Sequence, residues 1–98
     1  MARKIRIATV CMAGMGSGFL FKMNVEAVAQ KLGYSVDVEV SDSAGVAGLN
    51  VDIYVTTALL ATGLAVPAGK PVVAVASFLD KNEMEQKLGP VLREVCQA

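Results

Sequence analysis

The sequence predicts an α/β fold: a four-stranded parallel sheet with helices on both faces. Three observations predict it. Apolar runs of strand length recur at Ile5 to Val10, Tyr34 to Val40, Val51 to Thr56 and Val72 to Ala76. Segments of helical period or turn composition separate them, and strands that alternate with helices pair in parallel through right-handed crossovers. The last run is apolar without alternation, as in a strand buried on both faces. At 98 residues the chain, 1–98, is expected to make one domain, and 54% hydrophobic residues with a mean hydropathy of +0.53 suffice for its core.

Ile5-Arg6-Ile7-Ala8-Thr9-Val10 forms the first strand. It runs into Cys11 and then the glycine-rich turn Met12-Ala13-Gly14-Met15-Gly16-Ser17-Gly18. A helix follows, because Phe21, Val25, Val28 and Leu32 recur at i, i+4, i+7 and i+11, with Leu20, Met23 and Ala27 beside them. Gly33 closes that helix as a C-cap. Tyr34 to Val40 alternates at period two, the mark of a half-exposed strand at a sheet edge. Ser41 to Asn50 is mostly small or polar, which predicts a turn or short helix.

Val51 to Thr56 is the third strand and Thr57 to Leu64 a short helix or turn. Lys70-Pro71 leads into the fourth strand, Val72 to Ala76. Asp80 followed three residues later by Glu83 is a capping-box-like start to the final helix, whose inner stripe is Met84, Leu88, Val91 and Val95. Pro90 interrupts that stripe. Its ring clashes with the carbonyl of Gln86 and it donates no hydrogen bond, so a kink or restart is expected near Gly89.

Charge and cysteine usage narrow the function. Nine basic and nine acidic side chains cancel, and a sequence pI near 6.2 leaves no electrostatic footprint for nucleic acid. The local bias of Arg3, Lys4 and Arg6 is either a solvated start to the first strand or a docking patch for an acidic partner. The apolar stretch behind those residues breaks into glycines after Cys11, so it lacks the hydrophobic region of a signal peptide. Ala58 to Val66, interrupted by Thr62 and Gly63, falls short of the ~20 residues that span a bilayer. A cytoplasmic location is therefore expected. Two cysteines without a Cys-x-x-Cys spacing suit a reducing compartment.

Cys11 concentrates the chemistry. Ligands of parallel sheets bind at the carboxyl ends of strands near a topological switch point, and residue 11 follows the first such end. A thiol there meets backbone N–H groups that glycine lets approach closely. It also lies at the positive end of a helix macrodipole, an environment that binds phosphate-like anions and lowers a thiol's pKa. The chain has no histidine, which removes Ser-His-Asp and Cys-His catalysis and leaves covalent chemistry to Cys11 or Cys96. Cys96, at the far end of the last helix, is expected to pack near Val95 or face solvent.

Several other uses of a glycine-rich turn fit less well. Gly14-Met15-Gly16 begins like a dinucleotide fingerprint, but Phe19 stands where the third glycine belongs. A Walker loop needs Gly-Lys-Ser or Gly-Lys-Thr, and neither occurs. A low-molecular-weight cysteine phosphatase carries an arginine at the sixth position after its cysteine; Ser17 stands there, and no Asp-Pro pair supplies the general acid. A cysteine merely buried at a tight turn, or a non-catalytic anion-binding module, stays open.

The run Cys11-Met12-Ala13-Gly14-Met15-Gly16-Ser17-Gly18, followed by Phe21-Lys22-Met23-Asn24-Val25, resembles the phosphorylation loop and following helix of the IIB components of the bacterial sugar phosphotransferase system (PTS), lactose/cellobiose-like and ascorbate-like. The resemblance covers nearly the whole chain. It implies a flavodoxin-like or phosphotyrosine-phosphatase-like three-layer sandwich. It also implies phosphorylation of Cys11 by a phosphohistidine on a IIA partner, then transfer to a sugar, ascorbate or similar, bound by a membrane IIC partner. The backbone of Met12 to Gly18 and the Ser17 hydroxyl would hold the oxygens. No metal and no cofactor is implied. The chain departs from the family where Gly18 replaces a common Ser or Thr, and where Met12 and Met15 make the rim more apolar. Met12, Met15, Phe19 and Phe78 are the residues expected at a docking rim.

Overall fold

In the computed structural model of this chain, residues 4–10, 15–41, 50–58, 69–77 and 79–97 are described. They form β1 (Ile5–Val10), α1 (Met15–Lys31), β2 (Val36–Ser41), β3 (Ile53–Thr57), β4 (Val72–Val75) and α2 (Lys81–Gln97). The strands make one parallel sheet in the order β2-β1-β3-β4. That is the doubly wound, flavodoxin-like order through its first four strands, and its switch point lies between the carboxyl ends of β1 and β3.

Side-chain parity along β1 divides the core. Ile5 and Ile7 point to one face, where they join Val38, Ile53, Val55, Val73 and Val75 beneath Phe21, Val25, Val28 and Ala29 of α1 and Met84, Leu88 and Leu92 of α2. Ala8 and Val10 point to the other, where they are buried with Val51 and Tyr54. Both described helices lie on the first face and touch. Lys31 Nζ sits 2.9 Å from Glu85 Oε1, and a Cβ on Gly89 would stand 3.5 Å from Leu32 Cδ1, ordinary contact. The turns or short helices expected over Ser41–Asn50 and Thr57–Leu64 fall mostly outside the described residues; of their ends, Ser41 closes β2, Thr57 closes β3 and Ala58 is helical. No helix among the described residues is long and apolar enough to cross a membrane.

The sheet corrects several expectations about alternation. β1 and β3, each with four consecutive buried residues, are the strands without alternation. β4 instead alternates, with Val72 exposed and Val73 and Val75 buried: it is the sheet's edge, and among the described residues the helices cover the face that carries Val73 and Val75. β2 is the other edge and keeps the expected pattern, Asp37 and Glu39 outward and Val38 buried, but starts at Val36 because Tyr34 and Ser35 complete the turn after α1. β3 likewise starts later than Val51, since Asp52 is engaged sideways. Its N–H donates to the Arg6 carbonyl at 2.8 Å, and its Oδ2 accepts from the Arg6 N–H at 2.9 Å.

The helices differ from expectation at three points. α1 begins at Met15, inside the glycine-rich turn. α2 runs without interruption through Pro90, with no restart at Gly89. Proline removes one intrahelical bond, to the carbonyl of Gln86, but Gln86 and Pro90 are both exposed, where water can serve that carbonyl. Gly89, lacking a Cβ, also relieves the crowding that proline imposes on the residue before it. In the inner stripe Leu92, fully buried, takes the place expected for Val91, which is half-buried with Val95.

The C-terminus of α1 follows the expected glycine cap in detail. The Gly33 N–H donates to the Gln30 carbonyl at 3.0 Å and the Tyr34 N–H to the Ala29 carbonyl at 2.9 Å, the two bonds of a Schellman motif, with Gly33 at φ 88°. An added Cβ there would meet nothing within 4 Å, so only the backbone conformation penalises a side chain. Gly33→Ala is therefore expected to lower the unfolding free energy by about 1 kcal/mol, measured by urea denaturation with unchanged m.

Candidate functional site

The carboxyl edge of the sheet is built around the end of β1. Val10 is its last residue, opposite Ser41 of β2 and Thr56 of β3. Of the residues the sequence singles out, Cys11, Met12, Ala13 and Gly14 lie outside the described residues, as does Phe78. Met15, Gly16 and Ser17 form the first turn of α1. Their N–H groups have no partner one turn earlier within the helix, and no acidic residue occupies that turn to neutralise its positive end. The expected glycine-rich turn is thus shorter than seven residues, its second half already helical.

Gly18 is buried in this turn and has its own reason to be glycine. A Cβ would stand 2.9 Å from Val40 Cγ1, closer than such atoms approach, so a Ser or Thr would require the Val40 side chain or the helix to shift. Two glycines in a first turn weaken a helix by about 1 kcal/mol each. Here the close approach to β2 and the apolar face beginning at Phe21 offset that penalty.

Two residues that pattern reading did not single out fasten the edge. The Thr56 hydroxyl donates to the Val10 carbonyl at 3.1 Å in a buried bond, and the Thr9 hydroxyl donates to the Glu39 carbonyl at 3.4 Å. Threonine in a valine-rich strand reads simply as a β-former, so only the register reveals these bonds.

A second anchor follows β4. Asp80 Oδ1 accepts from the Glu83 N–H at 3.1 Å, one half of the expected capping box. The other half is redirected: the Asp80 N–H donates to the Ser77 carbonyl at 3.2 Å, and the Glu83 carboxylate instead accepts from the Ala76 N–H at 2.8 Å through Oε2 and from the Ser77 N–H at 3.4 Å through Oε1. Lys87 Nζ bridges Glu83 Oε2 at 2.8 Å and the Ala74 carbonyl at 3.0 Å. The Lys87 ammonium first, and then the Ala76 amide, hold the Glu83 carboxyl below its usual range.

Large apolar side chains are exposed at Phe19 (57%) and Leu20 near the start of α1, at Val40 near the end of β2 and at Leu79 (60%) after β4, with Met23 further along α1. Cys96 lies at the other end of α2, half-buried against the core near Val95, ~23 Å along the helix from its start.

The family described as PTS system, Lactose/Cellobiose specific IIB subunit, matches residues 6–89. A protein of Mycoplasma pneumoniae named "Ascorbate-specific PTS system EIIB component" is 30% identical over 92 residues, covering 92% of this chain and 97% of that protein.

The Glu83 anchor is testable through pH. A carboxyl held below its ordinary value of 4.5 stabilises the fold above that value, and the contribution is lost as pH falls through the lowered folded-state value. Glu83→Gln is expected to melt at lower temperature than the wild type at pH 7. The gap should close as both proteins are taken below about pH 4.

Proposed function

The chain belongs to the lactose/cellobiose-specific IIB family of the phosphotransferase system, and from that premise we propose that it is a phosphoryl carrier working through the thiol of Cys11. Phosphoryl transfer in sugar uptake is the role that membership carries. The observation that supports the finer assignment is placement. Residue 11 follows Val10, the end of an interior strand at the switch point, and α1 begins four residues later, its first-turn amides without partners inside the helix.

The Cys11 thiolate attacks the phosphorus of a phosphohistidine on a IIA protein. The S–P bond forms as the N–P bond breaks, and the imidazole nitrogen keeps the electron pair. A hydroxyl of a sugar held by a membrane IIC protein then attacks the phosphocysteine. An O–P bond forms, the S–P bond breaks, the hydroxyl proton passes to a base on the partner or to solvent, and the thiolate returns. The backbone N–H groups from Met12 to Gly18 and the Ser17 hydroxyl hold the phosphoryl oxygens, and the dipole of α1 favours the dianion. The chain acts as a single domain in the cytoplasm. The two partners would dock in turn on an apolar rim to which the exposed Phe19 contributes, Met12, Met15 and Phe78 being the other candidates by sequence. The sugar, ascorbate or a similar one, is chosen by the membrane component.

Ser17 makes this protein a carrier rather than a hydrolase. A phosphatase must stabilise the charge that grows as water attacks, for which an arginine at that position is the usual provision. Amides alone suit the ground-state dianion.

Incubation with a phosphorylated IIA protein should add the mass of one phosphoryl group to the wild type and to Cys96→Ser, and none to Cys11→Ser, as read by intact mass spectrometry. Acceptance by Cys11→Ser would refute the assignment. The free protein should also turn over p-nitrophenyl phosphate negligibly, while its phosphorylated form survives isolation. Steady hydrolysis that Cys11→Ser abolishes would move it to the phosphatases.

A further inference from the structure

We propose that Thr56 is a positioning residue for Cys11, its hydroxyl holding the peptide plane from which the thiol leaves β1. The inference deepens the carrier role proposed above and rests on it. Among the described residues the buried polar side chains are Thr9 and Thr56, both without exposed surface. Each has valine as an isosteric alternative that carries no hydroxyl to desolvate, so a hydroxyl kept in such a sheet calls for a use. Both stand at the carboxyl edge, one residue before and directly across from the end of β1.

The bond from Thr56 is the more consequential. The β1–β3 ladder ends at the pair Val10 and Thr56, while β3 continues beside β4 to Thr57 and Val75. At that last rung the Thr56 hydroxyl reaches the Val10 carbonyl at 3.1 Å. A carbonyl belongs to the same planar unit as the N–H and Cα of the next residue. Fixing the Val10 oxygen therefore fixes the direction in which the chain departs for residue 11. It also sets the origin of the thiol relative to the amides of Met15 to Ser17. Without the bond the plane can rotate about the Cα of Val10, and displacements of the order of 1 Å at a reacting atom can slow a reaction about 100-fold.

The test uses the full chain with Cys96→Ser, so that Cys11 is the one remaining thiol. Two quantities are followed: the pH midpoint of alkylation by iodoacetamide, and the rate of phosphoryl acceptance from a phosphorylated IIA protein. Thr56→Val should move the midpoint up, toward the free-thiol value of about 8.5, and slow acceptance about tenfold. Thr56→Ser, which keeps the donor, should restore both. Thr56→Ala deletes the donor in less space and carries the same expectation as Thr56→Val should that variant not fold. Thr9→Val should leave the midpoint in place, because its bond goes to Glu39 of β2. The proposal is overturned by a folded Thr56→Val or Thr56→Ala protein with wild-type midpoint and acceptance, by a Thr56→Ser protein as impaired as those, or by an equal shift in Thr9→Val. Alkylation needs no phosphoryl donor, so failure of the carrier role would show as a wild type that accepts nothing, separately from the behaviour of Thr56.

Discussion

The parallel pairing of β1 with β2 on one side and β3 on the other determines where the chain leaves the sheet. A slip of one residue in either ladder would turn Ile5 and Ile7 away from the helices and move the end of β1 relative to both neighbours. The β1–β3 register is fastened at both ends. At the amino end Asp52 engages Arg6 through its own N–H and its carboxylate, at 2.8 and 2.9 Å. At the carboxyl end Thr56 holds the Val10 carbonyl. Between them the Val and Ile side chains of both strands fill the two core clusters, so register and burial enforce each other.

From that fixed strand end the chemistry depends on how close α1 comes and what it offers. The Gly18–Val40 approach seats its first turn against the end of β2, and the Schellman bonds at Gly33 close its last turn before the chain enters β2. The helix is thus defined at both termini. Its first turn carries no acidic side chain that would neutralise the positive end of the macrodipole. After β4, the Glu83 carboxylate is engaged internally by the amides of Ala76 and Ser77 and by Lys87.

Much of this was legible in the sequence wherever one residue's identity settles local geometry. Glycine at 33 announced a left-handed cap, and alternation from Val36 to Val40 announced an edge strand. The alternating order of strand and helix patterns announced the parallel sheet. What escaped depends on neighbours distant in sequence. Val72 to Val75 reads as uniformly apolar, and only its place at the edge exposes Val72. Pro90 reads as a break, and only the exposure of Gln86 and Pro90 makes it tolerable. The replacement of a common Ser or Thr by Gly18 reads as a lost donor, and only Val40 supplies a steric reason. The hydroxyls of Thr9 and Thr56 are unremarked in their own strands because their acceptors lie 30 and 46 residues away.

If, as proposed, backbone amides at the start of α1 and in the segment before it cradle a phosphoryl group on Cys11, amide ¹H–¹⁵N correlation spectra of the wild-type protein recorded before and after phosphorylation should show it. The largest shift changes are expected on residues 12–18, with Val10 and Thr56 following and the far end of α2 at Cys96 unmoved. A pattern centred elsewhere, for instance on the polar pocket lined by Arg6, Asp37 and Glu39, with residues 12–18 unchanged, would contradict it.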